Sequence, residues 1–321
     1  MAFRDYLIGE VAEEYTEGLL SRRDALRRLV LLGLAVPSAS ALLAACGGDD
    51  GAQAEEDPDD ADNSENSGDS GDSGDSGTES ESPSPMGPSL GPDAGEMIHF
   101  EADGAELMAA FKAPEHDPKG AILVVHENKG LQPHFYDLVG RFAKEGYAAL
   151  CVDLLSRAGG TASLKDSVAE APGKLAAASP KQLVADLNAG LDELEKRAPD
   201  AKLGAVGFCF GGGMIWSLLN TGAKAKRLAA TASFYGPPPE DLHFTGAKAA
   251  VLVVYAGKDD RVNSSRPAIE SALKKAGLSY EIKVYEGADH AFFNDTGERY
   301  DAAAAKQANT KLLGFFGKHL A

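Results

Sequence analysis

From Met97 to the C-terminus, short apolar runs alternate with amphipathic segments, and this alternation restricts the chain to one broad architecture. Residues 121–125 and 148–152 are continuous apolar runs, with further strand patterns over 203–208, 228–234, 251–255 and 280–285. A strand apolar on both faces must be covered on both, which an open parallel sheet achieves with crossover helices above and below it. Helical patterns fill the gaps at about 134–146, 180–197, 211–220, 264–276 and 300–319. Two weaker extended stretches, near 96–101 and 106–112, predict an antiparallel hairpin at the sheet edge. The expectation is an α/β domain over 96–321, with a mostly parallel open sheet, helices on both faces and ligand chemistry at the carboxyl ends of the strands. No insertion is long enough for a large lid domain, which predicts an open site and a small substrate.

Charge separates this domain from what precedes it. The formal net charge is −18 over 321 residues, and residues 47–95 carry fifteen acids and no Lys or Arg. The 96–321 domain is therefore close to neutral and lacks the basic face that phosphate backbones require, which argues against nucleic acid as a partner. Residues 46–95 repeat Ser-Gly-Asp three times, at 67–69, 70–72 and 73–75, with few branched or aromatic side chains. Such a segment offsets little chain entropy by burial and reads as an acidic disordered tether. Its Asp spacing differs from that of calcium-binding repeats.

Residues 1–45 read as an address. The apolar stretch 29–45 is shorter than the roughly 20 residues of a spanning helix and is interrupted by Pro37, as in a signal h-region. Ser21-Arg22-Arg23-Asp24-Ala25-Leu26-Arg27 just before it resembles a twin-arginine export pattern, with Ala25 where that pattern usually carries Phe. Leu43-Ala44-Ala45-Cys46 looks like a lipobox, in which Cys46 is acylated. The expected location is outside the cytoplasm, lipid-anchored on the outer face of the cytoplasmic membrane or in the periplasm. The alternative is plain signal-peptidase cleavage with Cys46 incidental.

The sharpest chemical signal is Gly207-Phe208-Cys209-Phe210-Gly211, where a strand ends and a helix begins. This is the pattern of a nucleophile elbow: small flanking residues permit a tight turn that lifts the central side chain above the sheet. The helix start favours the thiolate. The competing reading makes Cys209 a small buried hydrophobe. A nucleophile needs a base, and the base a group that orients it. Asp259 follows the 251–255 strand and His290 follows the 280–285 strand, giving the chain order of an α/β-hydrolase triad. Asp260 competes with Asp259.

With these residues the domain resembles the dienelactone hydrolases, or carboxymethylenebutenolidases, over its whole length. The resemblance implies an α/β-hydrolase fold and a Cys209–His290–Asp259 triad, with Val262 completing an Asp-x-x-Val spacing. It also implies that Glu127, in His126-Glu127-Asn128-Lys129-Gly130, pairs with the resting thiol, and that the Phe210 and Asn128 amides form the oxyanion hole. Two arginines hold the substrate carboxylate in that family. Arg157 in Asp153-Leu154-Leu155-Ser156-Arg157 matches the first, with a surface ion pair as its alternative reading. Asn294 stands where the second belongs and lacks the charged fork of arginine, leaving Arg299 as a candidate replacement.

The expected activity is hydrolysis of a small ester or lactone through a thioester, without a cofactor. No His-x-x-x-His or Cys-x-x-Cys spacing occurs, so no metal is expected. Cys151 reads as core, which leaves no disulfide framework. The competing class is a lipid-tethered binding or scaffold protein that keeps the fold without turnover. No sequence feature bears on oligomeric state.

Overall fold

The computed structural model describes residues 3–46, 91–221 and 224–321, so nearly all of the acidic stretch lies outside the described residues. Eight strands form one sheet: β1 Glu96–Ala102, β2 Ala105–Lys112, β3 Ala121–Val125, β4 Ala148–Val152, β5 Leu203–Phe208, β6 Leu228–Phe234, β7 Ala250–Ala256 and β8 Tyr280–Tyr285. Their order is β1-β2-β4-β3-β5-β6-β7-β8. Strands β3 to β8 run parallel, while the β1–β2 hairpin pairs antiparallel and joins β4 antiparallel at one edge. Every residue of β3, β4, β5 and β7 is buried, as their uninterrupted apolar runs require.

The expected helices form as α4 Pro133–Lys144, α6 Pro180–Arg197, α7 Phe210–Leu219, α9 Arg266–Ala276 and α10 Ala302–His319. Two short ones, α5 Ala171–Ala177 and α8 Asp260–Asn263, were not legible in the pattern. Pro at the first turn starts α4, α6 and α9, where its missing N–H breaks no bond, and the Asp301 carboxylate caps α10 through the Ala303 and Ala304 N–H groups.

Residues ahead of the acidic stretch also fold onto the domain, as α1 Phe3–Thr16, α2 Arg22–Leu31 and α3 Val36–Cys46. Tyr6, Leu7, Glu10 and Val11 make a buried stripe on α1 at helical spacing, and Ala25, Leu29, Ala39 and Leu43 are buried from the next two helices, with Leu32 buried just past α2. Arg22 and Arg23 remain exposed. No helix among the described residues is long and apolar enough to cross a membrane.

Candidate active site

Cys209, alone between β5 and α7, turns the chain from strand to helix with φ 54° and ψ −119°. A non-glycine residue rarely adopts this backbone conformation, and the surrounding contacts must hold it there. They do: the Cys209 N–H donates to the Phe234 carbonyl at 3.0 Å, and its own carbonyl accepts from Gly213 at 3.1 Å. The flanking glycines are forced by close approach. A Cβ on Gly207 would lie 2.1 Å from the Gly211 carbonyl oxygen, and one on Gly211 would lie 2.2 Å from that of Val125.

The carboxyl ends of the neighbouring strands bring the partners in. Asp259, beyond β7, places Oδ2 2.5 Å from Nδ1 of His290, beyond β8, while its Oδ1 accepts the Val262 N–H at 3.0 Å. That second bond aims the carboxylate and accounts for the Asp-x-x-Val spacing. Asp260 instead begins α8. Cys209 Sγ, a His290 ring nitrogen and a Glu10 carboxylate oxygen all lie within 4.8 Å of one another. Burial, the strongest single influence, would lower the His290 imidazole, but the Asp259 carboxylate and the Cys209 sulfur together outweigh it and the pKa stands well above the ordinary histidine value. The Asp259 carboxyl is held down despite its own burial, chiefly by His290.

The site is not open. Cys209, His290 and Asp259 are each at most 2% exposed, and α1 lies over them. The Tyr6 hydroxyl sits 3.3 Å from Cys209 Sγ and 3.1 Å from His290 Nε2, between the thiol and the ring nitrogen that faces it. Both Glu10 carboxylate oxygens are 3.8 Å from Sγ. Burial, then the Glu10 charge, push the thiol above its ordinary pKa, opposite to the thiolate expected from the helix start. A cavity of about 590 Å³ beside the thiol is walled by both parts of the chain, including Glu14 and Arg28 on one side and Asn128, Lys129 and Asn294 on the other.

Several expected site residues have other engagements. Glu127 accepts a hydrogen bond from Asn294 Nδ2 at 2.8 Å, and the carboxylate within hydrogen-bond distance of the thiol is that of Glu10, with Glu127 a weaker like charge on it. Asn294 in turn accepts from the Thr296 N–H and hydroxyl, which orients it toward Glu127. Arg299 borders the cavity but donates twice to Glu17 just beyond α1, at 2.8 and 2.5 Å. Asn128 borders the cavity and Phe210 opens α7 directly after Cys209. Cys46 ends α3 and Cys151 is buried in β4; both are free thiols.

Arg157 is the clear misplacement. It donates to both Asp186 carboxylate oxygens at 2.9 to 3.1 Å and to the Ala102 carbonyl, tying α6 to the edge hairpin away from the cavity. The Asp153-Leu-x-x-Arg stretch serves the scaffold: Asp153 accepts from the Leu155 N–H and from the Thr161 N–H and hydroxyl. Replacing Arg157 by alanine is expected to cost roughly 2 kcal/mol by stranding the buried Asp186 carboxylate, while leaving KM unchanged; urea titration and steady-state kinetics check the two parts.

His126, the other histidine directly after a core strand, is also structural. Its Nδ1 lies 2.7 Å from the Glu127 carbonyl and its Nε2 accepts the Leu154 N–H at 3.0 Å, which assigns a neutral ring protonated at Nδ1. Tyr6 and Glu10 lie within residues 1–45, which read as a signal peptide, so sequence reasoning gives them no place at the site. Their signal was the helical spacing of Tyr6, Leu7, Glu10 and Val11. With Glu10 present, Glu10, Cys209 and His290 could also hold a thiophilic metal ion, a grouping that local spacing rules do not register.

A cysteine on a strand-to-helix elbow, with an acid-oriented histidine beyond later strands of a parallel sheet, defines an α/β-hydrolase. The dienelactone hydrolase family model matches residues 107–320, and the chain belongs to that family. Among its relatives, proteins named "Putative carboxymethylenebutenolidase" from Saccharolobus solfataricus and Methylorubrum extorquens are 29% and 32% identical. The matches cover 68% and 70% of this chain and 96% and 81% of theirs. The dienelactone hydrolase of Anabaena variabilis shares the fold with a TM-score of 0.54 at 18% identity, over 71% of this chain and 98% of its own. A dienelactone hydrolase-like promiscuous phosphotriesterase from metagenomic libraries shares it with a TM-score of 0.58 at 21% identity, over 70% and 98%.

Proposed function

We propose that the protein hydrolyses a small ester or lactone by acyl transfer through Cys209. The observation that carries this is the Asp259–His290 contact at 2.5 Å beside a cysteine held at φ 54° on the elbow. Sγ attacks the carbonyl carbon as His290 Nε2 takes the thiol proton, and the C=O electron pair moves to oxygen. Collapse of that adduct breaks the bond to the leaving oxygen, which takes the proton from His290 and leaves a thioester. Water then attacks the thioester with His290 again as base, and the acid departs as the thiol regains its proton. The Phe210 and Asn128 amides are assigned to the developing oxyanion, and Glu127, oriented by Asn294, borders the same space.

The substrate side is assigned to the cavity rather than to Arg157. Lys129 and Arg299 are the cations bordering it from the domain, which suits an acyl or leaving group that bears a carboxylate. Export by the twin-arginine-like segment and lipid attachment at Cys46 remain part of this reading, supported by the exposed Arg22–Arg23 pair and the lipobox-like sequence. A panel of aryl esters and unsaturated lactones, offered to the full chain carrying Glu13→Lys and Glu17→Lys, which break the ion pairs of Glu13 with Arg261 and Glu17 with Arg299 and so free the site of α1, tests the activity. The expected result is hydrolysis above the uncatalysed rate for at least one member, abolished by iodoacetamide. A folded protein inert to the whole panel, even after long incubation, would refute the proposal.

A further inference from the structure

We propose that helix α1 is a built-in occupant of the active site, which masks Cys209 while docked and unmasks it on leaving. The masking is a matter of geometry. That it silences turnover rests on the acyl-transfer reading above.

The contacts are those of a plug. The Tyr6 hydroxyl lies within hydrogen-bond reach of both the thiol and His290 Nε2, so a phenol is wedged against the two atoms that must exchange a proton. The Glu10 carboxylate adds like charge beside any thiolate, and both groups are buried against the reacting pair at 1% and 6% exposure. An ester carbonyl or an attacking water has to occupy this same space.

Docking is held by ion pairs that the domain supplies. Arg261 stacks its guanidinium 4.3 Å from the Tyr6 ring centroid, reaches the Tyr6 carbonyl and pairs with Glu13 at 2.9 Å. Arg299, a cation suited to a substrate carboxylate, is taken by Glu17. Within the plug, Arg4 donates to the Leu32 and Gly33 carbonyls and Arg28 pairs with Glu14, which ties α1 to α2, while α3 buries Ala39 and Leu43 in the same apolar cluster.

The unit is also separable. The family match begins at residue 107, so Tyr6 and Glu10 lie outside what defines the hydrolase domain. Residues 47–90 have a contour length of about 150 Å, enough for the three helices to depart without strain on the domain. The same helices carry the proposed export signal, so their departure in export or processing would unmask the thiol.

The test uses the full chain and reads Cys209 alkylation by iodoacetamide, resolved from Cys46 and Cys151 by peptide mapping, beside hydrolysis of 4-nitrophenyl acetate. Two variants loosen α1 in different ways: Tyr6→Ala with Glu10→Ala removes the contacts at the thiol, and Glu13→Lys with Glu17→Lys repels Arg261 and Arg299. Both are expected to alkylate Cys209 at least tenfold faster than the parent, with hydrolysis rising in parallel. Alkylation within twofold of the parent in both overturns the proposal. So does faster alkylation with reduced hydrolysis in the Lys variant, since α1 would then be part of the working site. Faster alkylation with no hydrolysis in any form upholds the masking and refutes the acyl-transfer reading instead.

Discussion

Replacing Cys209 by alanine is expected to lower ester hydrolysis by at least about 10³-fold, with His290→Ala equally severe and the double variant no worse than either single one. The non-additivity follows from the geometry. A base without its nucleophile, or a nucleophile without its base, leaves only the binding cavity and the oxyanion donors to assist the reaction. Asp259→Asn is expected to fall in the same range, because the carboxylate uses one oxygen for the Val262 N–H and the other for His290 Nδ1, and an amide whose oxygen keeps Val262 turns a donor NH2 toward the ring. Each variant's kcat/KM is compared with its parent in the full-length chain carrying Glu13→Lys and Glu17→Lys, because Tyr6 touches both Cys209 and His290 and a docked α1 would respond to either substitution. Fluorescence of Trp216, the single tryptophan and fully buried, reports that each variant is folded.

Gly211→Ala is expected to cost roughly 3 kcal/mol or more and to remove activity with it. The added methyl would meet the Val125 and His126 carbonyl oxygens at 2.2 and 2.6 Å, and these are backbone atoms of the strand end, which cannot swing aside as a side chain can. The helix must therefore retreat from the sheet and carry Cys209 out of its elbow. Gly314→Ala supplies the contrast. It lies on the exposed side of α10 with nothing within 4 Å of the new carbon, so the same chemical change should stabilise the protein by up to about 1 kcal/mol. Urea titrations of the two variants should shift in opposite directions; a Gly211→Ala protein as stable as its parent would mean that close approach at the elbow is not what requires Gly211.

The elbow, the acid and the histidine were legible in sequence because each depends on local pattern: a strand, then a short polar or glycine-rich turn, repeated in a fixed order. The same applies to the sheet, where β3 and β4 announce themselves as uninterrupted apolar runs and β1–β2 as a weaker alternating pair. What failed to show were contacts between residues far apart in the chain. Tyr6 reaches Cys209 across 203 positions, and nothing in the leader-like sequence of residues 1–45 signals that contact. Arg157 matched a family motif by spacing, yet Asp186 on α6, 29 residues further on, decides where its guanidinium goes. The role of Glu127 was displaced in the same way, by Asn294 and by Glu10.

The central claim, that Cys209 carries the acyl group, is tested most directly by acid-quenching the full chain, with α1 loosened by Glu13→Lys and Glu17→Lys, during hydrolysis of a slow aryl ester. Intact-mass and peptide mapping should find one acyl group on the peptide containing Cys209, released by hydroxylamine. An acyl group on any other residue, or steady turnover with Cys209 unmodified throughout and Cys209→Ala still active, would contradict the account.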